Sequence, residues 1–406
     1  MGDVIHLVVV FTVHSFQQII ITHTGTKISK CKYRAERGNV VFVSWGFIHR
    51  RGVEIFTNIK KYGKLVLMKI TYLFGAGASK QCLPIVTEIP NRIKAVIELL
   101  KKEEYSLSDT EKYDYKEITN SKKEIQEQLI QDLEWLLEHS ENHASIDTFA
   151  KKLFIKGREN DLKKLKAAFS VYLIIEQLLH KADKRYDAFY ASLLNYSYSD
   201  FPEKVRILNW NYDSQFEISF SEYTNSFELA NNKSRLNVIT KHSYRRYLKN
   251  DKFCVLKLNG TTEYMDDRGL NIYNFIQEFD YNFSVDKLDS IIKNYIVLKT
   301  FNTRVFSGLS FAWERYGPSE NDIVSLSKTE TGDTEILIII GYSFPFFNRE
   351  IDREIIRNMI LLKKVYFQAP DANILKERFL SVRDDISDNN LIPRFDVGQF
   401  LLPNEL

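Results

Sequence analysis

The run FGAGAS at residues 74–79 is the first stretch whose residue types suit chemistry, because it follows a strand-like segment and holds two glycines. Glycine lets the chain turn sharply, and it lets backbone N–H groups approach a phosphate with no side chain between them. Ser79 adds a hydroxyl donor. The run is not a P-loop, because GxxxxGK is absent, and it is not a complete GxGxxG. Taken alone, it fits phosphate binding and an ordinary turn equally well.

Polar residues follow a second strand-like stretch at 205–208. Asn209, Asn211 and Asp213 stand there at alternate positions. Asparagine can hold an amide, a sugar hydroxyl or a water, and aspartate can accept from an N–H or stabilise developing positive charge. Because Asn and Asp also favour turns, a binding site and a plain turn both remain open for this run.

A third loop follows Ile336–Ile340, five aliphatic residues in a row that suit a strand buried on both faces of a parallel sheet. Gly341 comes directly after it and permits close approach of the backbone to a ligand. Ser343 is a candidate donor to a phosphate or a sugar. The alternative interpretation is an ordinary loop at the end of a strand.

The elements that must position these loops alternate between strands and helices. Strand-like stretches lie at 68–74, 205–209, 253–258, 336–340 and 364–368, with a short one at 295–298. Apolar residues at helical spacing lie at 89–100, 122–139, 162–173 and 183–198. The pattern predicts an α/β fold with a doubly wound, mostly parallel, Rossmann-like sheet and an α-helical insertion at 101–199. Ligands of such sheets bind beyond the carboxyl ends of the strands.

The first 67 residues differ in charge from the rest of the chain. They carry a net charge of +7, whereas residues 68–406 carry −4. The basic character therefore belongs to one segment, and direct nucleic-acid binding is not expected from overall charge. Because Met68 opens the first strand, we interpret it as the true start, with residues 1–67 as translated upstream sequence. The alternative is a basic arm that binds a partner.

Composition excludes several other classes. Cys31, Cys82 and Cys254 are far apart and form no CxxC pair, which argues against a zinc ribbon and a disulfide framework. Reduced thiols suit a cytoplasmic protein. The apolar stretch Ile5–Val13 is too short and too polar to span a bilayer, and Asp3 before it does not suit a secretory signal. No membrane association is expected.

The three loops, in order, resemble the GAGxS, QNxD and GTS motifs of the sirtuin family, at 74–79, 210–213 and 341–343. The match covers the sheet-building parts from Met68 to about Asp371. The surrounding residues are most similar to bacterial sirtuin-like proteins of antiphage defence, which resemble NAD glycohydrolases, and among them to those paired with a HerA-type ATPase. The resemblance implies an NAD-binding domain at 68–100 and 200–380, the insertion at 101–199, and a C-terminal tail at 381–406.

The resemblance also implies roles for single residues. The residues that would contact the phosphates and the adenosine ribose of NAD are Gly75, Ala76, Gly77, Ala78, Ser79, Gly341, Tyr342 and Ser343. Asn211 would contact the nicotinamide-side ribose or position the attacking water, and Asp213 would hold the nicotinamide carboxamide. Residues 368–371 would approach the adenine, and residues 145–149 would line the cleft from the insertion.

Two departures from the family change the expected chemistry. Deacylating sirtuins carry a four-cysteine zinc module that three cysteines cannot build, so no zinc is expected. The family's catalytic His-Gly is replaced by Asn259-Gly260, and asparagine cannot act as a general base near neutral pH. Either a positioned water beside Asn211 and Asp213 suffices, or NAD is bound without turnover. His143 and His242 are alternative sources of an imidazole, less favoured than a surface or helix-cap role.

These observations together predict an NAD+ hydrolase that releases nicotinamide and ADP-ribose, with Asn211, Asp213 and Asn259 as its catalytic set. The resemblance implies a role in antiphage defence by NAD depletion. A free NAD hydrolase would be toxic, so control by assembly is expected, in a homo-oligomer joined to a HerA-type ATPase, with the helical stripes of the insertion as a candidate contact. The alternatives are a non-catalytic NAD- or ADP-ribose-binding sensor subunit, and a nucleic-acid-binding protein that uses the basic first segment.

Overall fold

A computed structural model of the protein describes residues 68–241, 252–266, 271–301, 303–314 and 322–406, together with four short strands before residue 68. The chain divides into two compact units, Met1–Leu67 and Met68–Leu406. In the first, the antiparallel pairs are β1 (Thr22–His23) with β2 (Thr26–Lys27), and β3 (Phe47–His49) with β4 (Gly52–Glu54). The predictions made for Cys31, His242 and Ile5–Val13 lie outside the described residues.

The centre of the second unit is a sheet of seven parallel strands. These are β5 (Ile70–Phe74), β6 (Val205–Asn209), β7 (Val238–Thr240), β8 (Cys254–Lys257), β12 (Ile336–Ile340), β13 (Lys364–Gln368) and β14 (Leu391–Arg394). Their order is β14-β13-β12-β5-β6-β8-β7. Every residue of β5, β6 and β12 is buried, as the continuous apolar runs predict for strands covered on both faces.

The sheet has a topological switch point beside β5. From β5 the chain passes to β6 on one side, and it returns to the other side of β5 only with β12. The loops that follow β5 and β12 therefore run to opposite sides and leave a crevice at the carboxyl ends of the strands. The predicted α/β, Rossmann-like, doubly wound fold is confirmed.

Five α-helices lie between β5 and β6, and all but the first of them fall within the insertion predicted at 101–199. They are α1 (Ile89–Leu100), α2 (Lys122–Glu141), α3 (Ile146–Ile155), α4 (Glu159–Leu179) and α5 (Lys184–Leu193). The apolar stripes of α2 and α4 are buried in one shared core, so they are not the exposed contact surface that the sequence suggested. No helix in the described part of the chain has the length and apolar content needed to cross a membrane.

The remaining helices are α6 (Gln215–Thr224), α7 (Leu229–Arg235), α8 (Val285–Thr300), α9 (Ile323–Thr331), α10 (Arg349–Arg357) and α11 (Ala372–Leu380). Apolar residues from α9, α10 and α11 share a core with one face of the sheet. Residues from α5 and α6 share a core with the other face. Helices therefore cover both faces, which is the arrangement that a doubly wound sheet requires.

A second, smaller sheet is antiparallel and was not predicted. Its strands are β9 (Gly260–Asp266), β10 (Ile272–Tyr273) and β11 (Val305–Leu309), in the order β10-β9-β11. The prediction of a short strand at 295–298 was wrong, because these residues lie within α8. Leu288, Ile291, Ile292 and Tyr295 are buried at helical spacing there. A four-residue apolar window is too short to separate the two periodicities.

Residues 381–406, predicted as a tail, contribute the edge strand β14 and part of the core. Phe400 is buried, and its ring centroid lies 5.1 Å from that of Phe74 in β5. Pro393 obscured the strand in the sequence, since proline cannot donate a ladder hydrogen bond and is tolerated mainly at sheet edges.

Candidate functional site

The three loops that carry the candidate residues meet in one cleft at the carboxyl ends of β5, β6 and β12. Of the predicted site residues, those that line it are Gly75, Ala76, Ser79, Asn211, Asp213, Asn259, Gly341, Tyr342 and Ser343. Gly77 and Ala78 belong to the same turn but do not line the cleft. The other wall comes from the insertion through Ser145, Ile146 and Asp147 of the α3 start and Phe169, Tyr172 and Leu173 of α4. The enclosed space is about 230 Å³.

The glycines at the switch point allow the two loops to pack backbone against backbone. Gly341 has a φ of +59°, and a Cβ on it would lie 2.5 Å from the carbonyl carbon of Gly77. A Cβ on Gly75 would lie 2.6 Å from the Cα of Tyr342. The Gly77 N–H donates to the Gly341 oxygen at 2.9 Å. Part of the room that these glycines create is therefore filled by the neighbouring loop.

The Arg185 side chain of α5 stabilises the glycine turn through hydrogen bonds to its backbone oxygens. The Arg185 guanidinium donates to the oxygens of Gly77 (3.1 Å) and Ala78 (2.9 Å), and it pairs with Asp183 at 2.6 Å. Residues 76–79 form a single 3₁₀ turn, and α1 begins only at Ile89. No long helix therefore starts at the turn. Ala76 is exposed, and its N–H has no acceptor in the part of the chain described, so this amide could donate to an anion.

Ser79, Asn211 and Asp213 form a buried network that joins the β5 loop to the β6 loop. The Ser79 hydroxyl donates to Asp213 Oδ2 at 2.8 Å, and Asn211 Nδ2 donates to the Gly75 oxygen at 3.0 Å. The Gln215 N–H donates to Asp213 Oδ1 at 3.1 Å. Burial raises the pKa of Asp213 above its usual range. Both oxygens of Asp213 are thus engaged within the protein, and its position in the cleft is structural in this arrangement.

Lys257, the last residue of β8, supports this network from beneath. Its ammonium group donates to the Asp213 carbonyl oxygen and pairs with Glu217 of α6 at 2.8 Å. Both side chains of the pair are fully buried. Because a buried charge is tolerated only with a partner, this ion pair fixes α6 and the Asp213 loop relative to β8.

Asn259, which stands where the sirtuin resemblance places a histidine, carries an unsatisfied acceptor. Its Nδ2 donates to the Trp210 oxygen at 3.0 Å, which fixes the orientation of the amide. Its Oδ1 is buried and has no hydrogen-bond partner among the described residues. Buried acceptors are nearly always paired, so this atom suits a hydroxyl, a water or an amide N–H of a ligand.

Asp147 brings a second carboxyl group to the cleft, from the start of α3. The Tyr212 hydroxyl donates to Asp147 Oδ1 at 3.2 Å, and burial raises the pKa of Asp147. Of the predicted lining segment 145–149, Thr148 and Phe149 do not reach the cleft, and Phe149 packs in the insertion core. The resemblance placed Asp147 in the lining segment but assigned it no chemical role, and an acidic residue in the first turn of a helix is common.

Asp352 of α10 connects two of the cleft loops and was not predicted from the sequence. It accepts from Trp210 Nε1 at 3.0 Å and from the Tyr342 hydroxyl at 2.6 Å. The rings of Trp210 and Tyr342 stack with centroids 6.1 Å apart. Burial raises the pKa of Asp352 to about 7. No motif surrounds this residue, and only the fold brings it to the loops.

Replacing Asp352 with asparagine should change how stability depends on pH. The folded-state pKa of about 7 exceeds the ordinary value of 3.8, so between these values the folded wild type binds more protons than the unfolded chain. The wild-type free energy of unfolding therefore falls as pH rises through this window. Relative to wild type, Asp352→Asn should gain about 1–3 kcal/mol from pH 4.5 to pH 8, since relaxation reduces the roughly 4 kcal/mol of a three-unit shift. Urea denaturation across this range measures the difference, and parallel curves would contradict the assignment.

Other candidates lie away from the cleft. His143 Nδ1 lies 2.9 Å from the His139 oxygen, and the residue does not line the cleft. Gln368, predicted near an adenine, donates to the oxygens of Asp396 and Gln399 and accepts from Leu401 N–H. Its amide therefore holds the C-terminal segment.

The two described cysteines, Cys82 and Cys254, are buried. Burial raises the pKa of each to about 12, so neither is a thiolate near neutral pH. Within the described ranges, no group of three or more His, Cys, Asp or Glu side chains is arranged to hold a metal ion.

No family model matches this chain, and no curated protein is significantly similar to it in sequence. The described lining of the cleft contains two carboxyl groups and no lysine or arginine. Such a site suits a ligand that binds through hydroxyl and amide groups and that develops positive charge as it reacts.

Proposed function

We propose that the cleft binds NAD and that the protein hydrolyses the nicotinamide–ribose bond, releasing nicotinamide and ADP-ribose. The observation that carries the proposal is that residues from all three runs, at 74–79, 210–213 and 341–343, line one cleft. They are far apart in the chain and resemble three sirtuin motifs in order. Crevices at the switch point of a doubly wound sheet are where such folds bind nucleotides.

The groups in the cleft fit the nicotinamide riboside end of NAD. The orphaned Asn259 Oδ1 would accept from a ribose hydroxyl or a bound water. Apolar side chains that would contact a ring include Leu83, Pro84 and Phe169. The enclosed 230 Å³ is somewhat less than ligand pockets usually provide, so the adenosine end would extend along the mouth, where Ser343 is exposed.

The charge of the cleft also suits this reaction. Loss of neutral nicotinamide leaves positive charge on the ribose, and the carboxyl groups of Asp147 and Asp213, which line the cleft, would stabilise that charge. The absence of lysine and arginine from the described lining removes opposing charge. The pyrophosphate would then depend on backbone N–H groups such as that of Ala76.

The biological role and the partners are proposed on the resemblance alone. We propose that NAD depletion serves antiphage defence in the cytoplasm, and that a homo-oligomer joined to a HerA-type ATPase controls it. Nicotinamide release by the protein alone and after mixing with such an ATPase, with assembly followed by mass photometry, tests this control. Equal rates at every assembly state would count against it.

A non-catalytic NAD- or ADP-ribose-binding subunit is the second candidate. It is favoured by Asn259, which cannot accept a proton from water as the family's histidine does. The two candidates differ in one readout, because the sensor binds NAD and releases no nicotinamide. Incubating the purified full chain with NAD, alone and with the ATPase, and measuring free nicotinamide separates them. Tight NAD binding without release at any assembly state would favour the sensor.

Asn211→Ala should lower nicotinamide release by about 10–100-fold, because a small displacement of positioning groups costs rates of this order. The Asn211 amide holds the β6 loop to the glycine turn through Gly75 and Ser79. Asn358→Ala is the matched control. Its amide also donates to a backbone oxygen, that of Lys328 at 2.8 Å, but the residue does not line the cleft. If both variants lose activity equally, the effect is on stability and not on the site.

A further inference from the structure

We propose that Asp147, in the first turn of α3, is the general base that Asn259 cannot be, and that it takes the proton from the attacking water. The inference rests on the proposed hydrolysis of NAD and names the residue that carries out its proton transfer. It assigns a direct part in the chemistry to the helical insertion.

Asp147 is the available carboxyl group of the cleft. The described lining holds two acidic side chains, Asp147 and Asp213. Asp213 is 3% exposed, and its two oxygens accept from Ser79 and Gln215. Asp147 is half-buried, and the one other residue that donates to it among the described residues is Tyr212. A base must be able to accept a further hydrogen from water, and Asp147, which is more exposed and has fewer donors than Asp213, is the more accessible of the two carboxyl groups.

The position of Asp147 is not explained by helix capping. Ser145 already caps α3, because its hydroxyl accepts from the Thr148 N–H at 3.1 Å. Helix α8 begins with the same pattern, in which Ser284 caps and Asp286 takes the place of Asp147. Asp286 is exposed, as an acidic residue at a helix start ordinarily is. Asp147 instead faces a cleft and bonds to Tyr212, which neighbours Asn211 on the opposing loop.

Asn259 and Asp147 line the same cleft, and we infer that they accept the two hydrogens of one water. A water molecule donates two hydrogens, and Asn259 Oδ1 is a buried acceptor with no partner among the described residues. Asn259 would orient the water through one hydrogen, while Asp147 accepts the other. Burial raises the pKa of Asp147, and a carboxylate with a higher pKa is a more effective base.

The proposed step balances without any further reactant. The water oxygen forms a bond to C1′ of the nicotinamide ribose as the C1′–N bond breaks, and the bonding pair leaves with neutral nicotinamide. One proton of the water passes to the Asp147 carboxylate and is then released to solvent. The products are ADP-ribose, nicotinamide and one proton.

Several ionisable groups face Asp147 and its partner. Tyr212 donates to it, and burial raises the pKa of Tyr212 well above its usual value. The charge of Glu314 also raises the pKa of Tyr212, and Glu314 forms an ion pair with Lys166 at 2.7 Å. The charge of Asp147 raises the pKa of Tyr342, and the Tyr342 hydroxyl donates a hydrogen bond to Asp352. Because the pKa of Asp352 is raised to about 7, the pH test needs a variant that alters Asp147 alone.

The test compares Asp147→Asn with the matched control Asp286→Asn in the full chain. Asp147→Asn should lower the rate of nicotinamide release by about 10²–10⁴-fold, the usual contribution of a general base. The dissociation constant for NAD, measured by calorimetry, should stay within about threefold, since asparagine keeps the shape and the bond to Tyr212. Asp286→Asn should match wild type.

The pH profile distinguishes a base from a structural residue. Wild-type kcat/KM should fall at acid pH as Asp147 becomes protonated, and Asp147→Asn should lose this limb. Tyr212→Phe removes a hydrogen bond that lowers the Asp147 pKa, so its acid limb should move to higher pH.

Four results would overturn the inference. If the wild type is active and Asp147→Asn releases nicotinamide at nearly the wild-type rate, Asp147 is not the general base, while the proposed function stands. Loss of NAD binding in parallel with activity makes Asp147 a binding residue. If Tyr212→Phe does not shift the acid limb of the pH profile, Asp147 is not the general base. This result is decisive even if Asp147→Asn fails to fold. Wild type that releases no nicotinamide in any assembly state defeats the proposed function, and the inference with it.

Discussion

Gly341→Ala should lower the free energy of unfolding by at least about 3 kcal/mol and abolish NAD binding. Two costs combine, since a residue other than glycine in the left-handed region costs about 1–2 kcal/mol. At a φ of +59° the new Cβ would also collide with the backbone of Gly77 and Ala78. The loops on either side of the switch point would have to separate, which opens the floor of the cleft. Urea denaturation and calorimetric titration with NAD measure the two effects.

Gly157→Ala is the control for backbone strain alone. Gly157 has a φ of +66°, but a Cβ there meets nothing within 4 Å. Its cost should be about 1 kcal/mol, with NAD binding unchanged. Equal losses in the two variants would show that conformational strain, and not the close approach of the loops, makes Gly341 necessary.

Lys257→Met should lower the free energy of unfolding by about 3–5 kcal/mol, because it leaves Glu217 as a buried charge without a partner. Lys257 and Glu217 are both fully buried, and Lys257 also donates to the Asp213 carbonyl. The variant should therefore weaken NAD binding as well, since the Asp213 loop loses an anchor. Denaturant titration with fluorescence detection measures the stability.

Two further variants isolate the buried charge. Adding Glu217→Leu to Lys257→Met removes both charges, and most of the lost stability should return. Lys287→Met breaks the more exposed pair with Asp280 and should cost at most about 1 kcal/mol. A double variant no more stable than Lys257→Met would mean that packing around the lysine, and not the unpaired glutamate, sets the cost.

Much of the sheet could be predicted because its strands are long, apolar and bounded by polar loops. The strand-like stretches at 205–209, 336–340 and 364–368 match β6, β12 and β13 residue for residue. The three-residue strand β7 could not be found, because so short a segment has no readable period. The small antiparallel sheet escaped for another reason. Gly260–Asp266 is rich in Thr and polar residues, and its burial depends on α8 and the insertion.

The site could be predicted as a set of loops but not as a set of bonds. Strand ends in a parallel sheet share an edge, which is why the loops around Gly75, Asn211 and Gly341 were expected together. That the Ser79 hydroxyl bonds Asp213 instead of facing a ligand depends on rotamers and on residues 134 positions apart. Asp147 and Asp352 come from helices outside every motif, and only the packing of α3 and α10 brings them to the loops.

The central place of β5 in the sheet has a consequence for how the protein is made. The two strands that pair with β5, β6 and β12, are distant from it in sequence. On the β12 side, for example, Lys69 contacts Glu335, which is 266 residues away. Pairings between strands so distant in sequence form slowly, because the entropy cost of closing a long loop comes before the stabilising contacts form. During translation, one edge of β5 stays unpaired and apolar until β12 has been synthesised. Chains with such an exposed edge aggregate or bind chaperones. Since the cleft needs both flanks, any activity that it carries begins only after most of the chain has left the ribosome.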